Sequence, residues 1–163
     1  MRQILRRLEL VADDWRYAGE EDGAVDVIVP LAEWRANAAQ WDAWKGRVGL
    51  RISPPDAVET LVDLLPKVAT IAIEFPNPGD GRGYSQARLL RERYKYHGEL
   101  RAVGHVKQDQ AVFMTRCGFD VLELAAGVDA QAVLETLRRF TVAYQPAEEL
   151  GSIRKLRYHT AAG

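Results

Sequence analysis

The chain of 163 residues is poor in the residues that most often carry redox and metal chemistry. It has one cysteine, Cys117, two methionines and three histidines. A single cysteine excludes an intramolecular disulfide and, within one chain, an all-cysteine iron–sulfur or zinc cluster. No His/Cys/Asp spacing resembles a transition-metal site, so no metal is expected and the cofactor is left unassigned. No apolar run approaches the roughly 20 residues of a membrane span. The opening string, MRQILRRLELVADDW, carries no apolar stretch after its charges, so the expectation is no secretory signal, no membrane partner and a cytoplasmic protein. Twenty-two Lys+Arg face 23 Asp+Glu, a net charge of −1. That balance excludes a strongly basic, general nucleic-acid binder.

What the chain does contain is ordinary core material in a repeating order. At 47% hydrophobic it can build one self-sufficient core, because a domain of this size buries about two-thirds of its unfolded surface. One domain over 1–163 is expected, with a β element plus helix at 1–47, a βα-repeat core at 48–146 and a polar tail at 147–163. Residues 1–30 read as a hairpin or two short strands, in which Val25, Val27 and Val29 alternate toward Pro30. Residues 31–45 read as one helix. Leu31, Trp34, Ala38, Trp41 and Trp44 share a stripe that packs on the body or serves recognition.

From Val48 strands and helices alternate. Strands are predicted over 48–52, 68–75, 99–106 and 119–124. Helices are predicted over 57–67, 85–94, 107–116 and 129–140, with 141–144 as a last short strand. Val58, Leu61, Val62 and Leu65 form the inward face of the first of these helices. Val112, Phe113 and Met114 do so in the third. Consecutive βα units need right-handed crossovers and a mainly parallel sheet. Four or five units cannot close an eight-stranded barrel. The fold class is therefore α/β, half-barrel-like or open and doubly wound, with a small N-terminal β element.

Both architectures gather ligands at the carboxyl ends of strands. That rule selects Arg51 and Ser53, then Glu74, then His105 and Lys107, then Glu123. Glu74 and His105 are the candidate catalytic proton carriers. After Glu74 comes the most site-like string, Gly79-Asp80-Gly81-Arg82-Gly83-Tyr84-Ser85. Its glycines can take φ > 0 and leave amides uncovered. The helix that follows favours an anion at its start, and Arg82 adds a bidentate donor. The spacing is G-x-G-x-G, neither a Walker motif nor the dinucleotide fingerprint, and a purely structural turn is the competing reading. The candidate ligand-binding residues are Asp80, Gly81, Arg82, Gly83, Tyr84, Ser85 and Arg101. From Gly79 to Lys107 seven positive and three negative residues give +4 in a chain of net −1. Such a field attracts a small anion or an acidic partner. The plainer reading is a solvated helix face, with Arg88, Arg91, Glu92 and Lys95 outward. Cys117 sits before a glycine at a helix end, where the dipole disfavours a thiolate, so it reads as a core residue.

Three strings carry a family resemblance: IEFPNPGDGRGYSQARLLRER at 73–93, GELRAVGHVKQDQ at 98–110 and RCGFD at 116–120. Asp13-Asp14-Trp15, Val29-Pro30-Leu31 and Gly49-Leu50 add to them. Together they resemble the bacterial family called domain of unknown function nine hundred thirty-four, with one departure at Pro78, where the family usually has an aromatic residue. That family is commonly labelled an oxidoreductase of sulfite reduction. The resemblance implies an accessory protein of assimilatory sulfite reduction and a partner of the sulfite reductase haemoprotein. Any oxidoreductase activity is implied by the resemblance alone. Two readings from the residues stand beside it. One is an enzyme binding a small phosphorylated or sulfur oxyanion ligand at the glycine-rich turn. The other is a homodimeric scaffold without catalysis.

Overall fold

The computed structural model describes residues 2–20, 23 and 25–144. Eight strands form one sheet: β1 Gln3–Arg6, β2 Glu9–Ala12, β3 Arg16–Tyr17, β4 Val27–Pro30, β5 Val48–Ile52, β6 Thr70–Phe75, β7 Glu99–Gly104 and β8 Val121–Leu122. Their order is β2-β1-β8-β7-β6-β5-β4-β3. From β3 to β8 each strand lies parallel to the next, while β1 joins β8 antiparallel and pairs with β2 as a hairpin. Every parallel step runs in the same direction, so right-handed crossovers send the connections to one face. Those connections are α1 Leu31–Ala36 and α2 Ala38–Asp42, 3-10 turns at Val58–Leu61 and Leu65–Lys67, α3 Arg82–Arg88 with a π-helical turn at Leu89–Arg93, and α4 Gln108–Arg116. α5, Ala130–Tyr144, follows β8 and packs on α4 and β2. Of the two expected architectures, the curled, half-barrel-like one is found.

Chain length dictates the curl. β2 and β3 are the two edges of the sheet. Laid flat, eight strands would hold those edges about 34 Å apart, at ~4.8 Å per strand. Only Asp13, Asp14 and Trp15 join Ala12 to Arg16, and such a link reaches at most about 14 Å. The sheet must therefore bend until its edges approach. The link crosses the inner face, where Trp15 packs with Ile28, Ala72 and Val103.

Alternation sorts the two faces. Leu50, Ile52, Ile71, Ile73, Phe75, Leu100 and Ala102 point outward into the main core under the helices. Arg51, Thr70, Glu74, Glu99, Arg101 and Val103 occupy the alternate positions and face inward. The inner face is thus mixed, with a small apolar patch among charged side chains.

Several expected elements differ. The helix over 31–45 breaks at Asn37, whose φ is −132° and ψ 39°, yet Leu31, Trp34 and Trp41 are buried as expected while Ala38 is exposed. Residues 57–67 form only the two 3-10 turns. Pro66 has no N–H to bond the Val62 carbonyl and its ring crowds that carbonyl, which stops propagation of an α-helix through 62–66. Val62 is consequently exposed and Leu65 half-buried. In α4 the buried positions belong to Ala111 and Met114, leaving Phe113 46% exposed. The Asp129 cap holds: its Oδ1 accepts from the Gln131 and Ala132 amides at 3.0 and 3.2 Å. α5 then runs through Tyr144, so 141–144 is helix rather than strand. The tail at 147–163 lies outside the described residues.

Candidate functional site

The inner face is organised around Arg101, which is 0% exposed in the middle of β7. Its Nη1 donates to Asp13 Oδ2 at 2.8 Å and lies 3.8 Å from Glu123 Oε2, and Nη2 reaches Glu99 Oε1 at 3.4 Å. Its Nε is buried with no partner. Arg2 adds contacts of 3.1 Å to Asp13 and 3.4 Å to Glu123, and Arg6 pairs with Glu99 at 3.1 Å. Burial opposes a charged Asp13, but the hydrogen bond and charge of Arg101, the Trp15 amide and Arg2 outweigh it, holding Asp13 below the usual carboxylate range. Burial likewise opposes a charged Arg101, and Asp13 outweighs that, so the guanidinium is more firmly protonated.

Toward the carboxyl ends of the strands this network reaches solvent. The Tyr17 hydroxyl donates to Glu123 Oε2 at 2.6 Å. Burial, then the neighbouring Glu123, push the Tyr17 phenol far above its ordinary pKa, so it remains a protonated donor. Arg2 lies 4.7 Å and Arg51 5.8 Å from the centroid of the Tyr17 ring. Arg51 Nη2 donates to Glu74 Oε1 at 2.8 Å, with side-chain exposures of 38% and 28%. Arg2, Tyr17, Arg51, Glu74 and Glu123 thus form one chain of contacts across this end of the inner face. Among the described residues Arg51 makes a hydrogen bond through Nη2 alone, which leaves further N–H donors for a ligand. A guanidinium with open donors suits an oxyanion. Carboxylates beside a protonated phenol suit proton movement.

The sequence-selected residues divide. Glu74 belongs to this rim. Arg101 belongs to the network beneath it, where full burial makes it a support for Glu123. His105 does not join: its backbone N–H donates to Phe75 O at 2.6 Å, and its ring Nε2 is buried without a hydrogen-bond partner. The glycine turn is closed on itself. Asp80 Oδ1 accepts from the backbone N–H and Nε of Arg82 at 3.1 and 3.0 Å, and Oδ2 accepts from Nη2 at 2.7 Å. These bonds lower the Asp80 pKa and raise that of Arg82. They also start α3 at Arg82, ahead of the expected Ser85.

None of Gly79, Gly81 and Gly83 takes a positive φ. Gly83 is required for packing, because a Cβ there would lie 2.7 Å from Phe75 Cζ. Tyr84 packs between Phe75 and Phe113, with ring centroids 5.0 and 4.8 Å away. Gly81 and Ser85 are exposed. Arg91, expected outward, instead clamps carbonyls: it donates to Tyr96 O, Gly98 O and Gly118 O at 2.6–3.1 Å and pairs with Asp120. Cys117 is buried, and burial raises its thiol pKa.

Arg2, Asp13 and Tyr17 lie before the repeat core, beyond the reach of the strand-end rule. The signal that could have found them is Asp13-Asp14-Trp15, an acidic pair against a tryptophan in a short linker.

A family model described as "Bacterial protein of unknown function (DUF934)" matches residues 49–151, more than half of the chain. No curated protein matches the chain. Arg51, Glu74, Arg101 and Glu123 lie inside the matched segment; Arg2, Asp13 and Tyr17 precede it. Among the described residues no helix is long and apolar enough to cross a membrane, and no group of three or more His, Cys, Asp or Glu is placed to hold a metal ion.

Proposed function

Because the chain belongs to the bacterial DUF934 family, whose function is unknown, we propose a function from its site: the protein binds a small sulfur oxyanion, such as sulfite, at the carboxyl-end rim of the inner face, as an accessory protein of assimilatory sulfite reduction. The observation that carries the binding site is Arg51, a partly exposed guanidinium at a strand's carboxyl end with donors beyond its bond to Glu74. The sulfur setting rests on the resemblance carried by residues 73–93, 98–110 and 116–120. Glu74, bonded to Arg51, and Glu123, held by Tyr17, are the proton carriers beside the ligand. Arg101 and Asp13 fix Glu123 from below.

Thermal unfolding with added sulfite, sulfate or phosphate at matched ionic strength tests this reading. Sulfite raises the Tm of the wild type and not that of Arg51→Ala. An equal rise in both proteins removes Arg51 from the site and the reading with it.

A contact with the sulfite reductase haemoprotein is a second reading. The observation that favours it is the exposed Phe113 on α4, with the Arg88 guanidinium 6.0 Å from its ring centroid. An exposed aromatic beside an arginine is a common anchor at protein interfaces. Copurification at low salt, lost on Phe113→Asp, supports it; no complex at low salt defeats it. Sedimentation of the protein alone separates this contact from homodimerisation.

A further inference from the structure

The helical layer carries an aromatic ring that its own fold leaves uncovered. Sequence periodicity points Phe113 inward, yet Ala111 and Met114 take the buried positions of α4 and Phe113 is 46% exposed. The ring is not loose. Its centroid lies 4.8 Å from that of Tyr84, which in turn lies 5.0 Å from that of Phe75 at the end of β6. An aromatic held on a ladder of rings is ordered before a partner arrives, so little side-chain entropy is lost on contact.

Phe113 sits within a patterned stripe. Asp109, Phe113 and Arg116 follow at i, i+4 and i+7, one face of a helix. All three are exposed, with Val112 half-buried beside them. An acid in the first turn and a base in the last suit the dipole of any helix. The aromatic between them is what the dipole does not explain. Arg88 and Glu92, exposed on α3 and the π-helical turn after it, add one charge of each sign, and the Arg88 guanidinium lies 6.0 Å from the Phe113 ring centroid.

With Arg88 and Arg116 against Glu92 and Asp109, the face has no net sign, so it selects neither an acidic nor a basic partner. Its order selects a partner that presents acid, aromatic and base in reverse. A second copy of the chain does this, because a two-fold axis brings one patch onto itself. The midpoint of 109 and 116 falls between Val112 and Phe113. Turned antiparallel about that point, α4 sets Asp109 against Arg116 of the second copy and Arg116 against its Asp109. The two Phe113 rings meet at the centre.

We propose that the protein forms a two-fold dimer through antiparallel packing of α4 on α4, with Phe113 as the central anchor and Asp109 and Arg116 setting the register. A helix of nine residues is about 14 Å long. The contact is therefore at the small end of specific interfaces, and the dimer is weak and reversible. None of these residues belongs to the inner-face rim, so the dimer and the rim stand or fall separately. Phe113 is shared with the haemoprotein contact, and a second copy seated on it excludes that partner.

Sedimentation velocity over a wide range of concentration tests the proposal. The wild type passes from monomer to dimer as concentration rises. Phe113→Asp, Asp109→Arg and Arg116→Asp, each folded by circular dichroism, weaken self-association by about tenfold or more. An equimolar mixture of Asp109→Arg and Arg116→Asp restores a dimer, because every charge at these positions again meets its opposite. Arg51→Ala dimerises like the wild type. A wild type that stays monomeric at the highest concentration overturns the proposal, and leaves the face to the haemoprotein if that protein binds through Phe113. A dimer that survives Phe113→Asp overturns it too, and so does a mixture no more associated than its two components.

Discussion

Two ion pairs flank the end of β6, and they differ in kind. Glu74 meets Arg51 from the neighbouring strand, and that pair continues through Tyr17 to Glu123, Arg101 and Asp13. Asp80 meets Arg82 two residues away, and that pair ends there. The turn pair needs only local chain geometry. The inner-face pair needs the whole sheet, because its members lie on β5 and β6 and their supports on β3, β7 and the link after β2. A charge satisfied by its own neighbour marks a turn. Charges brought together from distant parts of the chain mark where the fold has built something.

The largest expected effect breaks the inner network. Arg101→Ala leaves Asp13 and its companion carboxylates around an empty position, and losing one partner of a buried ion pair costs about 3–5 kcal/mol. Urea unfolding measures it. A loss under ~1 kcal/mol means that the network is decoration.

Within the glycine turn the comparison becomes sharper. Gly83→Ala drives a Cβ toward Phe75 and costs about 1–3 kcal/mol, as overpacking does. Gly81→Ala meets nothing closer than 4.0 Å, at a φ of −87°, and is neutral or stabilising by up to about 1 kcal/mol. Equal losses at both positions would return functional weight to the turn's backbone.

Tyr17→Phe removes one hydrogen bond to a carboxylate and costs about 1.5–3 kcal/mol at neutral pH. Its signature is the pH dependence. The folded-state pKa of Tyr17 is raised above its unfolded value of about 10. The stability it contributes is therefore complete below about pH 10 and is lost as pH rises toward the folded pKa. Tyr17→Phe flattens that alkaline loss, leaving the share from Tyr96, which is also raised, by burial first. Asp13 behaves oppositely. Its folded pKa is depressed, so its contribution is present above about pH 4 and disappears as pH falls through the folded value. Urea midpoints across pH read both limbs. The smallest effect is Arg82→Ala, whose urea midpoint stays at the wild-type value, since the Arg82 side chain is 62% exposed.

Much of the architecture was legible because alternation and βα order are local properties. β7 shows it: Leu100 and Ala102 pack outward while Arg101 and Val103 turn inward, as period-two reading requires. Glu74 was legible for the same reason, as the polar residue at the end of an apolar strand. The partners were not. Nothing in Tyr17 announces that its hydroxyl bonds Glu123, 106 residues away. That contact exists only because a three-residue link forces the sheet to curl. The glycine string misled in the opposite way: glycines and an arginine before a helix look like an anion cradle, but Asp80 fills that role from within. Pro66 and Asn37 show the limit of periodicity, which placed the strand residues well but misjudged helix lengths and, with them, Ala38, Val62 and Leu65.

Calorimetric titration of sulfite into the wild type, Arg51→Ala and Arg82→Ala tests most directly that the functional centre is the inner rim and not the glycine turn. A charge-assisted contact of about 1.5–3 kcal/mol corresponds to about tenfold or more in affinity. The account predicts at least that loss for Arg51→Ala and an affinity within about twofold of wild type for Arg82→Ala, as expected of an exposed, self-paired charge. Retained affinity in Arg51→Ala, with loss in Arg82→Ala, would contradict it.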